Sequence, residues 1–455
     1  MKMLFRPVIA IAALFTVMSA CNNPAKNTAD KSIILHDVTL IDGKGTAPQE
    51  HIDIRMINDS IVDVGRSLDT NGATVIRLGG KTVMPSLISA HVHIGALKGT
   101  ATKPEFYTRG NIISQLNKYQ DYGILNILVM GTDRPLLFET GIRDSSLAGN
   151  FPGARIHSAG YGFGVPGGAP PLEFAMDRVF RPETPAQVSA QMDSLAALKP
   201  EVVKLWLDDF GGKFRKMDPA VYKAVIDEAH KHQLRVASHA YYVSDARQLV
   251  NEGVDIIAHS IRDSVTDDAL VSRMKSKGII YIPTLSLDEF SFIYAGKPEW
   301  IDDPFFKTSL EPGVYEMITD EKYQSDLKKS PAYARNMKGF DIALKNLKKL
   351  HDAGVLVALG TDSGAMPLRA QGFSEHLELE LMVQAGLSPL QAITAATGNA
   401  AKAMKIDGAF GTIEKGKIAD LLIIDGDPLK DIRQTRQIFA VYKAGKEVSK
   451  GPLSK

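Results

Sequence analysis

From about residue 200 to residue 360 the chain repeats one pattern, a short apolar run followed by a polar loop and then a helix with one apolar face. Strands are expected over 201–206, 234–239, 255–259, 278–283 and 355–359, with helices over 218–232, 245–252, 267–277 and 341–353 between them. Asp218 followed by Pro219 reads as an N-cap with proline at the first helical position, where the missing N–H costs nothing. Thr184-Pro185-Ala186-Gln187 and Ser388-Pro389-Leu390-Gln391 both read as capping boxes. Strand and helix alternating in this way imply parallel strands joined by helical crossovers. The number of units fits a closed barrel of about 250 residues with insertions. The expected fold is therefore α/β, a (β/α)8 TIM barrel over 85–407, with its main insertion at about 286–340 as a helical lid or a helical pair.

Both ends of the chain read differently. Short alternating strands are expected over 32–41, 51–55 and 60–64, and again over 419–424 and 437–443, with Gly, Asn and Asp turns and no helical period. Residues 32–84 and 408–455 are expected to join as one small β-sandwich domain.

The N-terminus reads as a targeting segment. Lys2 and Arg6 precede an apolar run from Pro7 to Val17, too short for a membrane span. Met18-Ser19-Ala20-Cys21 resembles a bacterial lipobox, which implies a signal peptide over 1–21, lipidation at Cys21 and a polar tether over 22–31. The expected location is the bacterial cell envelope, on the outer membrane or its periplasmic side, with membrane attachment through Cys21. Cys21 is the only cysteine, so no disulfide can form within the chain and stability must come from a large core. A formal net charge of +1 offers no basic excess for phosphates, so no nucleic-acid partner is expected. Oligomeric state is left open.

The chemistry lies in which residues end the strands. His91 and His93, two apart in an extended run, face the same side. His-x-His alone is a weak signal. Lys204, His239, His259 and Asp362 each fall at or just past the end of an expected strand, the edge of a barrel where active sites sit. Imidazoles and a carboxylate suit zinc and similar ions. Lys204 stands among Val202, Val203, Leu205 and Trp206, in a strand that should be buried. A buried ammonium is costly. Either its head reaches a carboxylate, or it is neutral and takes up carbon dioxide as an anionic carbamate.

These residues and three motifs resemble the amidohydrolase superfamily. Pro85-Ser-Leu-Ile-Ser-Ala-His91-Val-His93 resembles the motif after its first barrel strand, and Gly360-Thr-Asp362-Ser-Gly364 the aspartate motif after its eighth. Gly411-Thr-Ile-Glu-Lys-Gly-Lys-Ile-Ala-Asp-Leu-Leu-Ile-Ile-Asp425 resembles the return into the β domain. The nearest likeness is to the imidazolonepropionase- and prolidase-like group with a lysine ligand. The resemblance implies two divalent metal ions, with zinc the expected ion, held by His91, His93, Lys204, His239, His259 and Asp362. It also implies that Lys204 is N6-carboxylated. The implied reaction is hydrolysis of a C–N amide-type bond in a small-molecule substrate, a dipeptide or N-acyl amino acid, by metal-activated water. Asp362 is the expected proton carrier, and Tyr241 an expected donor to the developing oxyanion. The alternatives are a one-metal cyclic-amide hydrolase or deaminase, and a catalytically inactive surface-binding lipoprotein.

Three departures stand out. Ser89 replaces an Asp common in the family, and Gly123-Ile-Leu-Asn126 replaces Gly-x-Thr-Thr. Ala169 follows Gly167-Gly168 where relatives often carry a substrate-holding His, which weakens any transfer of dipeptide specificity. The Gly160–Gly168 run lacks the spacing and lysine of a phosphate loop and is expected to shape the pocket. His376 is expected to cap a helix or lie on the surface, and Arg262 is a candidate for contact with a substrate carboxylate.

Overall fold

The structure, a computed structural model, describes residues 32–172 and 175–454. The signal segment, Cys21 and the tether lie outside the described residues. Strands are numbered in chain order. Five come from the N-terminal part: β1 (Ser32–Leu40), β2 (Gln49–Ile57), β3 (Ser60–Gly65), β4 (Ala73–Arg77) and β5 (Thr82–Pro85). The next is β6 (Leu87–Val92), and a hairpin of β7 (Leu97–Lys98) and β8 (Ala101–Thr102) follows it. Then come β9 (Ile124–Val129), β10 (Arg155–Ser158), β11 (Val203–Leu207), β12 (Val236–Ala240), β13 (Ile256–Ala258), β14 (Ile280–Ile282) and β15 (Leu356–Val357). The C-terminal strands are β16 (Leu421–Ile424), β17 (Ile438–Lys443) and β18 (Lys446–Ser449).

Strands from both chain ends share one sheet, in the order β18-β17-β16-β5-β1-β2-β3, with β4 also on β1. The joint is β16 antiparallel to β5, where Leu421 to Ile424 pair with Pro85 to Thr82. β1 pairs with β4 along its first half and with β5 at its end, so the sheet folds over on itself. It surrounds its own apolar cluster, which includes Leu35, Ile54, Ile61, Leu421 and Ile423.

The central part holds eight parallel strands in chain order, β6-β9-β10 and β11 to β15. Two seams join the three-strand and five-strand groups. At one, Glu201 N–H donates to Ser158 O, and Phe163 exchanges backbone bonds with Lys204 and Trp206. At the other, Ala90 N–H donates to Leu359 O, and the N–H groups of Thr361 and Asp362 both donate to His91 O. The strands thus close into a ring. All residues of β9, β11, β12, β13 and β14 are buried, as expected of parallel strands covered on both faces. Helices cap as the sequence predicts: Asp218 Oδ1 accepts from Ala220 N at 2.8 Å, and Ser388 and Gln391 complete a reciprocal box. The box expected at Thr184 is not formed, because the threonine hydroxyl makes no cap bond.

The insertion is more than a helical pair. It runs through short helices Leu285–Phe290, Pro304–Ser309, Val314–Thr319 and Glu321–Lys329 before the long helix Ala332–Asp352. Phe306 packs edge to face on Trp300 and on Phe373 of the next helix, at 4.7 and 4.8 Å between ring centroids, and Trp300 tilts against Phe373 at 5.0 Å. No helix among the described residues is long and apolar enough to cross a membrane.

Candidate metal centre

The six residues expected at strand ends converge on one rim of the ring. His91 is on β6, and His93 lies just beyond it. Lys204 is on β11 and His239 on β12, while His259 follows β13 directly. Asp362 follows β15 after a short turn. All six are buried. Ligand-type atoms of His91, His93 and Asp362 lie within 4.8 Å of one another. The remaining imidazoles adjoin them: His259 is 4.6 Å from His91 and 4.3 Å from His239, ring centre to ring centre. Lys204 lies close enough to His91, His239 and His259 to lower the proton affinity of each.

Several polar atoms at this rim lack hydrogen-bond partners among the described residues. His91 Nε2 is 3.1 Å from Asp362 Oδ1 yet forms no aligned hydrogen bond, and neither ring nitrogen of His91 has one. Lys204 Nζ is likewise buried without a hydrogen-bond partner. Such orphaned groups are costly unless something else satisfies them. Burial pushes the Lys204 amine down to about 7. Burial, with the charge of Lys204, pushes His91 down to about 3, and burial first of all holds His239 and His259 below the usual histidine range. Neutral imidazoles, an ionised carboxylate and an uncharged amine are the forms that ligate metals or take up carbon dioxide. This donor set fits divalent cations.

Neighbouring groups fix the donors. His93 Nδ1 is 2.6 Å from Thr132 Oγ1, and His259 Nδ1 is 3.0 Å from Thr284 Oγ1, which turns each Nε2 the other way, that of His93 to 2.8 Å from Asp362 Oδ1. His259 (φ 71°), Thr284 (φ 52°) and Asp362 (φ 58°) hold left-handed backbone, which side-chain-bearing residues adopt only where the surroundings impose it.

Sequence reasoning missed four residues here. Asp208 Oδ2 lies 2.7 Å from His239 Nε2. Arg369 contacts Asp362 through Oδ2. Glu375 accepts from the hydroxyls of Ser89, Thr361 and Ser363 at 3.1, 2.7 and 2.9 Å and from Gly372 N–H at 2.9 Å. Ser89 thus contacts a carboxylate from the helix after the aspartate motif. Arg335, the fourth, lines the cavity mouth.

The centre opens into a cavity of about 490 Å³. Its walls include Met176, Trp206, Phe210, Tyr241, Leu287 and Met366. Tyr241 is half-buried, with the Arg262 guanidinium 4.6 Å from its ring centre, and burial raises its hydroxyl pKa. Arg262 itself is engaged: its Nε lies 3.0 Å from Asp288 Oδ1 and its Nη1 donates to Ser260 O at 2.8 Å. Its charge is therefore already matched by a carboxylate, although it still lines the cavity. His376 is neither a cap nor a surface residue. It is buried, with Nε2 2.9 Å from Tyr122 O and Nδ1 2.9 Å from Thr435 Oγ1. The glycine run does shape the site: a Cβ at Gly162 would sit 2.2 Å from the Trp206 ring.

A ring of parallel strands with histidines, a lysine and an aspartate gathered at their C-terminal ends defines an α/β barrel with a candidate metal site at its usual rim. Within that class the chain belongs to the amidohydrolase family, whose sequence model matches residues 82–448. It is similar to ochratoxinase from Aspergillus niger, 27% identical over 249 residues, 54% of this chain and 44% of the relative. It is also similar to imidazolonepropionase from Deinococcus radiodurans, 35% identical over 107 residues, 22% of this chain and 26% of the relative. The chain thus spans less than half the length of the curated relatives it matches. In fold it is similar to a Xaa-Pro dipeptidase with bound methionine in the active site, with a TM-score of 0.73, 24% identity, and coverage of 92% of this chain and 100% of that one. A. niger ochratoxinase superposes with a TM-score of 0.71 at 21% identity, covering 93% of this chain and 96% of that one.

Proposed function

We propose that the protein hydrolyses a C–N amide-type bond in a small-molecule substrate, a dipeptide or N-acyl amino acid. His91, His93, Lys204, His239, His259 and Asp362 hold two divalent metal ions, with zinc the expected ion. The observation that supports this most is the Lys204 amine, buried beside three histidines with no hydrogen-bond partner among the described residues. A neutral amine there would take up carbon dioxide, forming an N–C bond and releasing a proton, and the carbamate would add an anionic oxygen donor to the ligand set. When bound, such ions polarise a carbonyl and lower the pKa of water.

The chain's own groups supply the rest. Asp362 has Oδ1 between two imidazoles and Oδ2 against Arg369, so it stays ionised and fixed in orientation. It takes the proton of the attacking water and passes it to the leaving nitrogen. Tyr241, kept protonated by burial, donates from its hydroxyl to the carbonyl oxygen as charge develops there. Trp206, Phe210 and Met176 exclude bulk water from the reacting groups.

A one-metal reading, a cyclic-amide hydrolase or deaminase, draws on a different observation. Among the described residues only His91, His93 and Asp362 form a compact ligand group. Metal analysis separates the two. Protein prepared with zinc and 13C-bicarbonate should carry two ions per chain and a carbamate carbon resonance, both reduced in Lys204→Arg. It should also cleave members of a panel of dipeptides, N-acyl amino acids and lactams. Full activity with one ion per chain and no carbamate resonance would overturn the two-metal reading, and a metal-loaded protein inert to the whole panel would overturn hydrolysis. Envelope attachment through Cys21 is proposed from the sequence motif alone. It predicts a membrane-associated product that Cys21→Ala releases.

A further inference from the structure

The cavity's charges are unevenly matched. Asp208 faces His239, Asp288 faces Arg262, and Asp362 faces Arg369. Asp263 accepts from Val243 N–H at 2.8 Å. Two lining cations remain, Arg335 and Lys338, one turn apart on the helix Ala332–Asp352 and both without an ion-pair partner among the described residues. Arg335 is an exposed residue at the edge of the cavity. Its Nη1 lies where a Cβ on Gly211 would come within 2.8 Å, at a position whose φ of +75° already favours glycine. Gly211 leaves the guanidinium room to rest across the cavity edge. From there its charge reaches the Tyr241 hydroxyl.

We infer that Arg335 is a specificity-determining residue that takes a carboxylate on the substrate, with Lys338 adding to the positive field. This rests on reading the cavity as the substrate site. A guanidinium at the edge of a cavity with apolar walls, without an ion-pair partner among the described residues, is suited to a carboxylate. The reacting bond lies at the ligand cluster and the anionic end at Arg335, with the Met176, Trp206 and Phe210 wall between them for an apolar group. A neutral lactam offers Arg335 nothing, whereas an N-acyl amino acid with a free carboxylate fills both ends. Sequence alone directed attention to Arg262 for this role; its charge is matched by Asp288, whereas the insertion supplies a cation without such a match.

The test is isothermal titration and steady-state kinetics on metal-loaded full-length protein, with N-benzoyl-L-leucine and its C-terminal carboxamide as probes. The wild type should bind the acid about tenfold more tightly than the carboxamide, the worth of one charge-assisted contact. Arg335→Gln should erase that difference by raising Kd and KM for the acid while leaving kcat and the carboxamide unchanged. Arg335→Lys should restore part of it. Equal affinities in the wild type, no binding of either probe, or a preference that survives Arg335→Gln would overturn the inference. If the wild type prefers the acid but cleaves neither probe, the hydrolytic reading fails and the carboxylate selection stands. If it cleaves both without preference, the reverse holds.

Discussion

Asp208 Oδ2 stands 2.7 Å from Nε2 of His239, both side chains buried, so the ring N–H on that side is spent on a carboxylate and Nδ1 is the nitrogen left for a ligand. Burial works to raise the Asp208 pKa, but the bond and charge of His239 bring it below the usual carboxylate range. Phe210 stacks on the other side of the imidazole at 6.1 Å. The ring is thus held in one tautomer and one plane.

Asp208→Ala should therefore lower metal affinity at the His239 side by about 10- to 100-fold while leaving the fold intact. Titration of the apoprotein with zinc, read by calorimetry, should show one class of site weakened. Asp208→Asn, which still accepts from the imidazole through its side-chain oxygen, should keep more of the affinity. Equal zinc affinity in all three proteins would exclude the orienting role.

Asp208 also shows what the sequence made legible and what it concealed. It directly follows β11, so the strand-end rule that singles out His239 and His259 applies to it too, but nothing in the sequence separates it from its neighbour Asp209. The alternation of strands and helices, and the six strand-end residues, could be read because parallel strands force their C-terminal ends to one rim. Glu375, Arg369 and Arg335 could not, since each reaches the site from a helix or loop whose approach depends on tertiary packing rather than on any local period. His376 misled for a related reason. Its neighbours Glu375, Glu378 and Glu380 resemble a solvated helix face, yet Glu375 and Glu378 are fully buried, satisfied by hydroxyls and backbone N–H groups from other elements.

Glu375 is the centre of such a set. Glu375→Ala would leave the Ser89, Thr361 and Ser363 hydroxyls and the Gly372 N–H without their acceptor, all beneath Asp362. The expected loss is about 3 kcal/mol or more, from several buried donors stranded at once. Ser89→Ala removes one donor and should cost only about 1 kcal/mol. Denaturant unfolding of the two variants should give that order, and Glu375→Ala should also lose zinc because the Asp362 turn is no longer braced.

The pH dependence of stability should carry a mark of His376. Burial, against its bond to Tyr122 O, depresses its pKa from 6.5 to about 3. As pH falls below 6.5 the unfolded chain binds a proton there and the folded chain does not, so stability is lost as pH drops from 6.5 towards 3. One unit below the ordinary value this amounts to about 1.4 kcal/mol. His376→Gln lacks the titrating group, so its stability should fall less between pH 7 and pH 5.5 than that of the wild type, although it starts lower. Parallel profiles in thermal unfolding would show that His376 titrates in the fold.

Gly131 sets the wall behind Lys204. Its φ is +79°, and a Cβ there would sit 2.7 Å from Lys204 Cβ, 2.9 Å from Cγ and 3.1 Å from the Trp206 ring. Neither contact can be relieved at a flexible tip, because one is the root of a buried side chain and the other a packed indole. Gly131→Ala combines a disfavoured backbone conformation with overpacking, so about 1–3 kcal/mol of destabilisation is expected. The more telling effect is on chemistry. If Lys204 is carboxylated only because its amine is held neutral among His91, His239 and His259, then moving its root should diminish the 13C-bicarbonate resonance even in protein that remains folded. A folded Gly131→Ala protein with full carbamate signal and full metal content would show that the lysine tolerates displacement, and that its confinement is not what makes it reactive.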